Sequence, residues 1–221
     1  QIDEFLKKLV LSVIEMNEKY FILKTLKDEN EFREALRRKL QVSSGAKSFN
    51  HLIILMWHDF IREQFRLFLD EQKKVASLCN ISRKISEKKI FEKLLERCCS
   101  NLMPCNSESE TKELFQRRWD DHCKCINILK DDPVSIKIKV FRDKYHEHLE
   151  MPALDNDTPS LLAKFELSYD DLLNFASKNT RIVLALNELI NNERIVWESV
   201  ENLVPQQNLW VALGVGRSPS P

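Results

Sequence analysis

Asp132-Pro133-Val134-Ser135-Ile136-Lys137-Ile138-Lys139-Val140 is the stretch on which the fold class of this chain turns. Val134, Ile136, Ile138 and Val140 alternate with Ser135, Lys137 and Lys139, the period-two pattern of a half-buried strand. A strand here would lack a partner, because no other segment sustains such alternation, and an isolated strand is not stable. Asp132 followed by Pro133, by contrast, is an N-cap and N1 pair that starts a helix. The helical reading carries the segment on through His148 and makes the chain all-α, a helical bundle built on long amphipathic helices.

The flanking sequence agrees. Before it, Ile2 to about Lys27 places Phe5, Leu6, Leu9, Val10, Val13, Ile14, Tyr20, Phe21 and Leu23 at helical spacing. A more charged helical segment, Asn30 to Leu40, ends in a Val42 to Lys47 loop, after which Ser48 is positioned to cap a helix from about Phe49 to Lys74. That helix carries Trp57, Phe60, Phe65 and Phe68 as a core stripe, and its Arg62 and Arg66 read as part of a salt-bridged or basic outer face. Cys79 to Ser86 reads as a polar connector, Lys88 to Ser100 as another helix, and Pro104 as a break. Ser107 and Glu110 form a capping box that opens the helix bearing Phe115, Trp119, His122, Ile126 and Leu129. Beyond His148, Met151-Pro152 and an Asp- and Asn-rich loop lead to Ser168 and Asp171, a second box-like start for a helix through Trp197. A single domain over residues 1–204 and a flexible tail over 205–221 are expected.

Composition narrows the function classes. Lys plus Arg and Asp plus Glu both number 34, so no global field draws the chain to a polyanion, and any such ligand must find a local patch. With three glycines, Gly45, Gly214 and Gly216, neither a Walker loop nor a GxGxxG turn can be written in the folded part, which excludes both phosphate-cradling motifs. No apolar run approaches the ~20 residues of a membrane span, and no signal-peptide pattern opens the chain. Six cysteines in a chain able to bury a substantial core read as reduced thiols, and a cytoplasmic setting is expected.

Two clusters carry chemistry. Cys98-Cys99, Cys105 and His122-Cys123-Lys124-Cys125 offer soft ligands, but no paired CxxC knuckles occur, and Cys123 and Cys125 diverge by about 200 degrees on a helix. Scattered half-buried thiols, with no metal and no cofactor, are the expectation. The second cluster, Phe141-Arg142-Asp143-Lys144-Tyr145-His146-Glu147-His148-Leu149-Glu150, gathers two of the five histidines with an arginine, a lysine and three carboxylates. Arg142 can fork onto phosphate oxygens and His148 can move a proton near neutral pH. On a regular helix their six-residue spacing gives about 240 degrees of excess rotation and ~9 Å of rise, so they diverge within one chain. His146 lies one turn beyond Arg142 on nearly the same face and competes for the proton-transfer role. By spacing alone, a solvated face with intrahelical ion pairs fits equally well.

Phe-Arg-Asp-Lys-Tyr-His-Glu-His-Leu in an all-helical chain resembles the signature of the HEPN superfamily, and more narrowly its abortive-infection AbiU-type branch. The resemblance spans about two thirds of the chain by including Arg-Leu-Phe-Leu-Asp at 66–70 and Leu-Ser-Tyr-Asp-Asp-Leu at 167–172. It implies a metal-independent endoribonuclease, a toxin or antiphage effector, whose motif helices meet in a homodimer to form a composite cleft for RNA. Arg142 would contact the scissile phosphate, His148 would be the acid or base, and Asp143 would orient Arg142. His146, Lys144 and Tyr145 are secondary candidates, and Lys137 and Lys139 would supply local basic character for substrate. Tyr145 is a place where an added phosphate or nucleotide would block the cleft. Glu147 departs from the family's small apolar residue at that position and puts a negative charge beside the site. The competing expectation is a catalytically silent dimerisation module that docks a partner such as an antitoxin or a nucleotidyltransferase.

Overall fold

The computed structural model describes residues 2–28, 38, 45–101, 107–144, 162–163 and 165–195, and no strand occurs among them. Among the described residues seven α-helices follow in order: α1 Ile2–Asp28, α2 Gly45–Gln64, α3 Leu78–Ile85, α4 Lys88–Asn101, α5 Glu108–Asp131, α6 Pro133–Arg142 and α7 Tyr169–Asn191. α2 passes without a break into a wider π-helical segment, Phe65–Leu69. The chain is all-α.

α6 shows why the alternating stretch is not a strand. Asp132 Oδ1 accepts the Val134 N–H at 2.9 Å and Pro133 stands at the first helical position. Ser135, Ile138 and Phe141, three apart, are fully buried, whereas Ile136 and Val140 are exposed. The four aliphatic residues of the alternation therefore do not share a face.

The core is one cluster to which every described helix contributes. α1 buries Leu6, Leu9, Val13, Met16, Tyr20 and Leu23 at helical spacing and packs chiefly on α7 and α2. α7 answers with Leu172, Phe175, Ala176, Val183, Leu186 and Ile190. Polar ties fix the same contacts. Lys19 pairs with Asp59 and, at 2.9 Å, with Glu63, joining α1 to α2. Arg97 grips Asp3 with both terminal nitrogens, at 2.6 and 3.0 Å, and donates to the Ile190 carbonyl at 2.9 Å, joining α4, α1 and α7. Asn17 and Gln64 are buried, and no hydrogen-bond partner meets their side-chain amides.

Several boundaries differ from the sequence expectation. α2 begins at Gly45, so Ser48 lies inside the helix rather than capping it. Its helical run stops at Leu69, short of Lys74, because Asp70 turns extended and its carboxylate accepts the Gln72 N–H at 2.8 Å. The expected connector at 79–86 is instead α3, capped by Ser77, with Leu78, Cys79, Ile81 and Ile85 buried. α7 ends at Asn191, where Asn192 takes the left-handed conformation at φ 55°, so Trp197 is not on that helix. The capping boxes at Ser107 and Ser168 are both formed. The expected helix at 30–40, except Arg38, the Pro104 break, the loop around Pro159 and the 205–221 tail lie outside the described residues.

Candidate functional site

α6 leaves α5 at a tight corner, held by Ser135 Oγ donating to the Leu129 carbonyl at 2.5 Å. Phe141 anchors the other end, edge-on to His58 at 5.2 Å and to Phe165 at 5.3 Å. With both ends fixed, the residues that follow Phe141 are presented from a rigid support.

The α-helix ends at Arg142. Asp143 and Lys144 lie in wider π-type turns, and the Asp143 N–H is shared between the Lys139 and Val140 carbonyls. The regular-helix geometry that separates Arg142 from His148 therefore does not apply past this point. Arg142 Nε donates to Asp143 Oδ1 at 2.7 Å, Nη2 donates to the same oxygen, and the guanidinium carbon sits 4.0 Å from the centre of the Phe65 ring. That ring belongs to the π-helical segment at the end of α2. π turns inside α-helices are frequent at functional sites, and this one supplies the ring under the arginine. The Arg142 side chain is 25% exposed and Asp143 50%. A planar cation held on one face and one edge keeps its orientation while remaining reachable, as phosphate recognition requires.

The other predicted residues divide. Lys144 is exposed, with Nζ 5.6 Å from the centre of Phe165. Lys137 donates to the Glu166 carbonyl at 2.8 Å, and Glu166 has the left-handed φ of 52°, so this lysine holds a strained turn in front of α7. Lys139 is half-buried and points toward Glu71 and Cys79. Tyr145, His146, Glu147 and His148 lie outside the described residues. Arg142, Asp143 and Lys144 are thus together, with Lys137 turned to a structural contact.

Sequence reading missed Phe65, which reaches Arg142 from a different helix, and the carboxylate of Glu71. Glu71 accepts from Lys130 at 2.6 Å, and that bond, with Lys139 and Arg83 nearby, holds its carboxyl below the ordinary range. No local signal could have joined these residues, since they come from three separate helices and a loop.

The cysteine and histidine cluster does not converge. His122 is buried, stacked on Trp119 with ring centres 5.2 Å apart, and its Nε2 is 2.8 Å from Ser82 Oγ. Burial pushes its pKa down to about 4, so it is a neutral core residue. Burial also pushes the Cys79 thiol up to about 11. Among the described residues no group of three His, Cys, Asp or Glu stands close enough to hold a metal ion, and Cys105 lies outside them. A groove of about 400 Å³ between α5 and α7 is lined by Arg118, His122, Cys125, Arg181 and Leu186. Among the described residues no helix is long and apolar enough to cross a membrane.

No family model, no curated protein and no solved structure matches the chain.

Proposed function

We propose that this protein is a HEPN-type, metal-independent endoribonuclease that acts as a toxin or abortive-infection effector, with a composite active site formed by two copies. The observation that carries the reading is the fixing of Arg142, between Asp143 and the Phe65 ring, at the point where the motif helix leaves α geometry. In this reading the 2′-hydroxyl of RNA is the nucleophile. His148 removes its proton and later returns one to the departing 5′-oxygen, while Arg142 stabilises the charge that builds on the phosphorane oxygens. A nucleophile already within the substrate needs no metal-bound water. The exposed Ile136 and Val140, one turn apart on α6, supply an apolar strip on which a second copy can seat.

The same exposed pair, with an Arg142 already engaged by Asp143, favours a second reading. In it α6 is a docking surface and the motif is catalytically silent, its partner an antitoxin or a nucleotidyltransferase.

Incubation of the purified protein with RNA in EDTA separates the two. The enzyme reading expects products with 2′,3′-cyclic phosphate ends, lost in Arg142→Ala and in His148→Ala but retained in His146→Ala. Cleavage that survives both of the first two substitutions sinks it. Light scattering tests the composite cleft independently, since a monomer at micromolar concentration is incompatible with a site built from two chains.

A further inference from the structure

The segment Phe65 to Glu71 runs antiparallel to α6. Its start lies under Arg142 and its end meets Lys130, with Lys139 of α6 beside it. Glu71 is the carboxylate at the centre of three cations from three helices: Arg83 of α3, Lys130 of α5 and Lys139 of α6. Lys130 is bonded to it at 2.6 Å, and Arg83 is held in place by Asn80 Oδ1 at 2.8 Å. Lys73 and Lys74 follow in the turn after Glu71 and are exposed. The adjacent carboxylates are engaged elsewhere: Asp70 accepts the Gln72 N–H, and Asp132 pairs with Lys178 at 3.5 Å. On a chain with equal numbers of positive and negative residues, this is a local excess of positive charge, gathered from separate elements by tertiary structure.

We infer that Arg83, Lys130 and Lys139 form a binding site for the phosphate backbone of single-stranded RNA, a track that leads along α6 to Arg142. Lys139 precedes Arg142 by three residues, about 4.5 Å of helix rise, so a strand lying on the track reaches the arginine without a gap. The choice of RNA over other polyanions rests on the ribonuclease reading; the track itself rests on the placement of the three cations. Glu71 keeps the cations together when no strand is bound, and phosphates compete with it when one is.

The experiment is fluorescence anisotropy of a labelled 2′-O-methyl 12-mer RNA, which binds without being cleaved, titrated with the full chain across a range of salt. The combined substitution of Arg83, Lys130 and Lys139 by Ala is expected to weaken binding roughly tenfold or more near 0.1 M salt, and to lower the slope of log K against log salt by about 2. Glu71→Gln is expected to tighten binding. Unchanged affinity and slope in a triple variant whose circular-dichroism melt matches the parent overturn the inference. So does equal capture of heparin and RNA, which shows a general polyanion surface, and so does tighter binding of an RNA duplex than of the single strand. The two readings fail separately. Cleavage lost in Arg142→Ala beside undiminished binding by the triple variant removes the track alone, whereas binding that depends on the track, with no cleavage in EDTA, removes the ribonuclease reading alone.

Discussion

Arg142 lies flat on Phe65, its guanidinium carbon 4.0 Å from the ring centre, and the two residues come from α6 and from the π-helical end of α2. A cation over an aromatic face at a partly exposed site is worth about 0.5–2 kcal/mol. Phe65→Leu is therefore expected to lower RNA cleavage roughly threefold to tenfold through kcat, with Phe65→Tyr close to the parent. Stability measured by urea denaturation should fall by about 1 kcal/mol in the leucine variant. Equal cleavage by the Leu and Tyr variants would show that the ring does not orient the arginine.

The buried His122 links stability to pH. Its folded pKa, about 4, lies below its ordinary value of 6.5, so between these values the unfolded chain binds the extra proton. The stabilisation is complete above about pH 6.5 and is lost as the pH falls toward 4, amounting to about 3 kcal/mol. Urea titrations at pH 7.5, 6, 5 and 4 are expected to show this decline in the parent and a shallower one in His122→Gln. Parallel pH profiles for the two proteins would remove His122 as the cause.

Gln64 stands immediately before the π-helical segment with its amide buried and unmet by any hydrogen-bond partner. An unsatisfied polar group of this kind costs about 1–3 kcal/mol, and methionine has nearly the same shape. Gln64→Met should raise the thermal midpoint, read by circular dichroism. A lower midpoint would mean that the amide is satisfied in solution.

Asp132 has two roles, capping α6 through Val134 and pairing with Lys178 of α7. Asp132→Asn keeps the cap and loses only the partly exposed pair, for less than about 1 kcal/mol. Asp132→Ala loses both and is expected to cost about 1–2 kcal/mol. Identical urea midpoints for the two variants would show that the cap contributes nothing.

The sequence was most legible where two local signals agreed. Asp132 with Pro133, Ser107 with Glu110 and Ser168 with Asp171 each combine a cap with helical spacing, and all three starts are where the pattern puts them. α3 escaped because it is two turns long and its polar Asn80 and Ser82 are buried by tertiary contacts that spacing does not reveal. The end of α7 was read too late because an asparagine in the left-handed conformation stops a helix without a glycine or proline to mark it. At the site, Asp143 was legible because it adjoins Arg142. Phe65 and Glu71 were not, because their relation to α6 exists only once three helices have packed.

The π-helical segment Phe65–Leu69 amounts to an α-helix with one residue more than its length requires. Deleting any one of those five residues would let the run close up as ordinary α-helix and would turn everything on one side of it by about 100 degrees relative to the other. Phe65 could then no longer face Arg142 while Glu71 faces Lys130. The two ends of the cationic track are thus kept in phase by residue count, so that a one-residue change of length, neutral in charge and hydrophobicity, would uncouple them where most single substitutions would not.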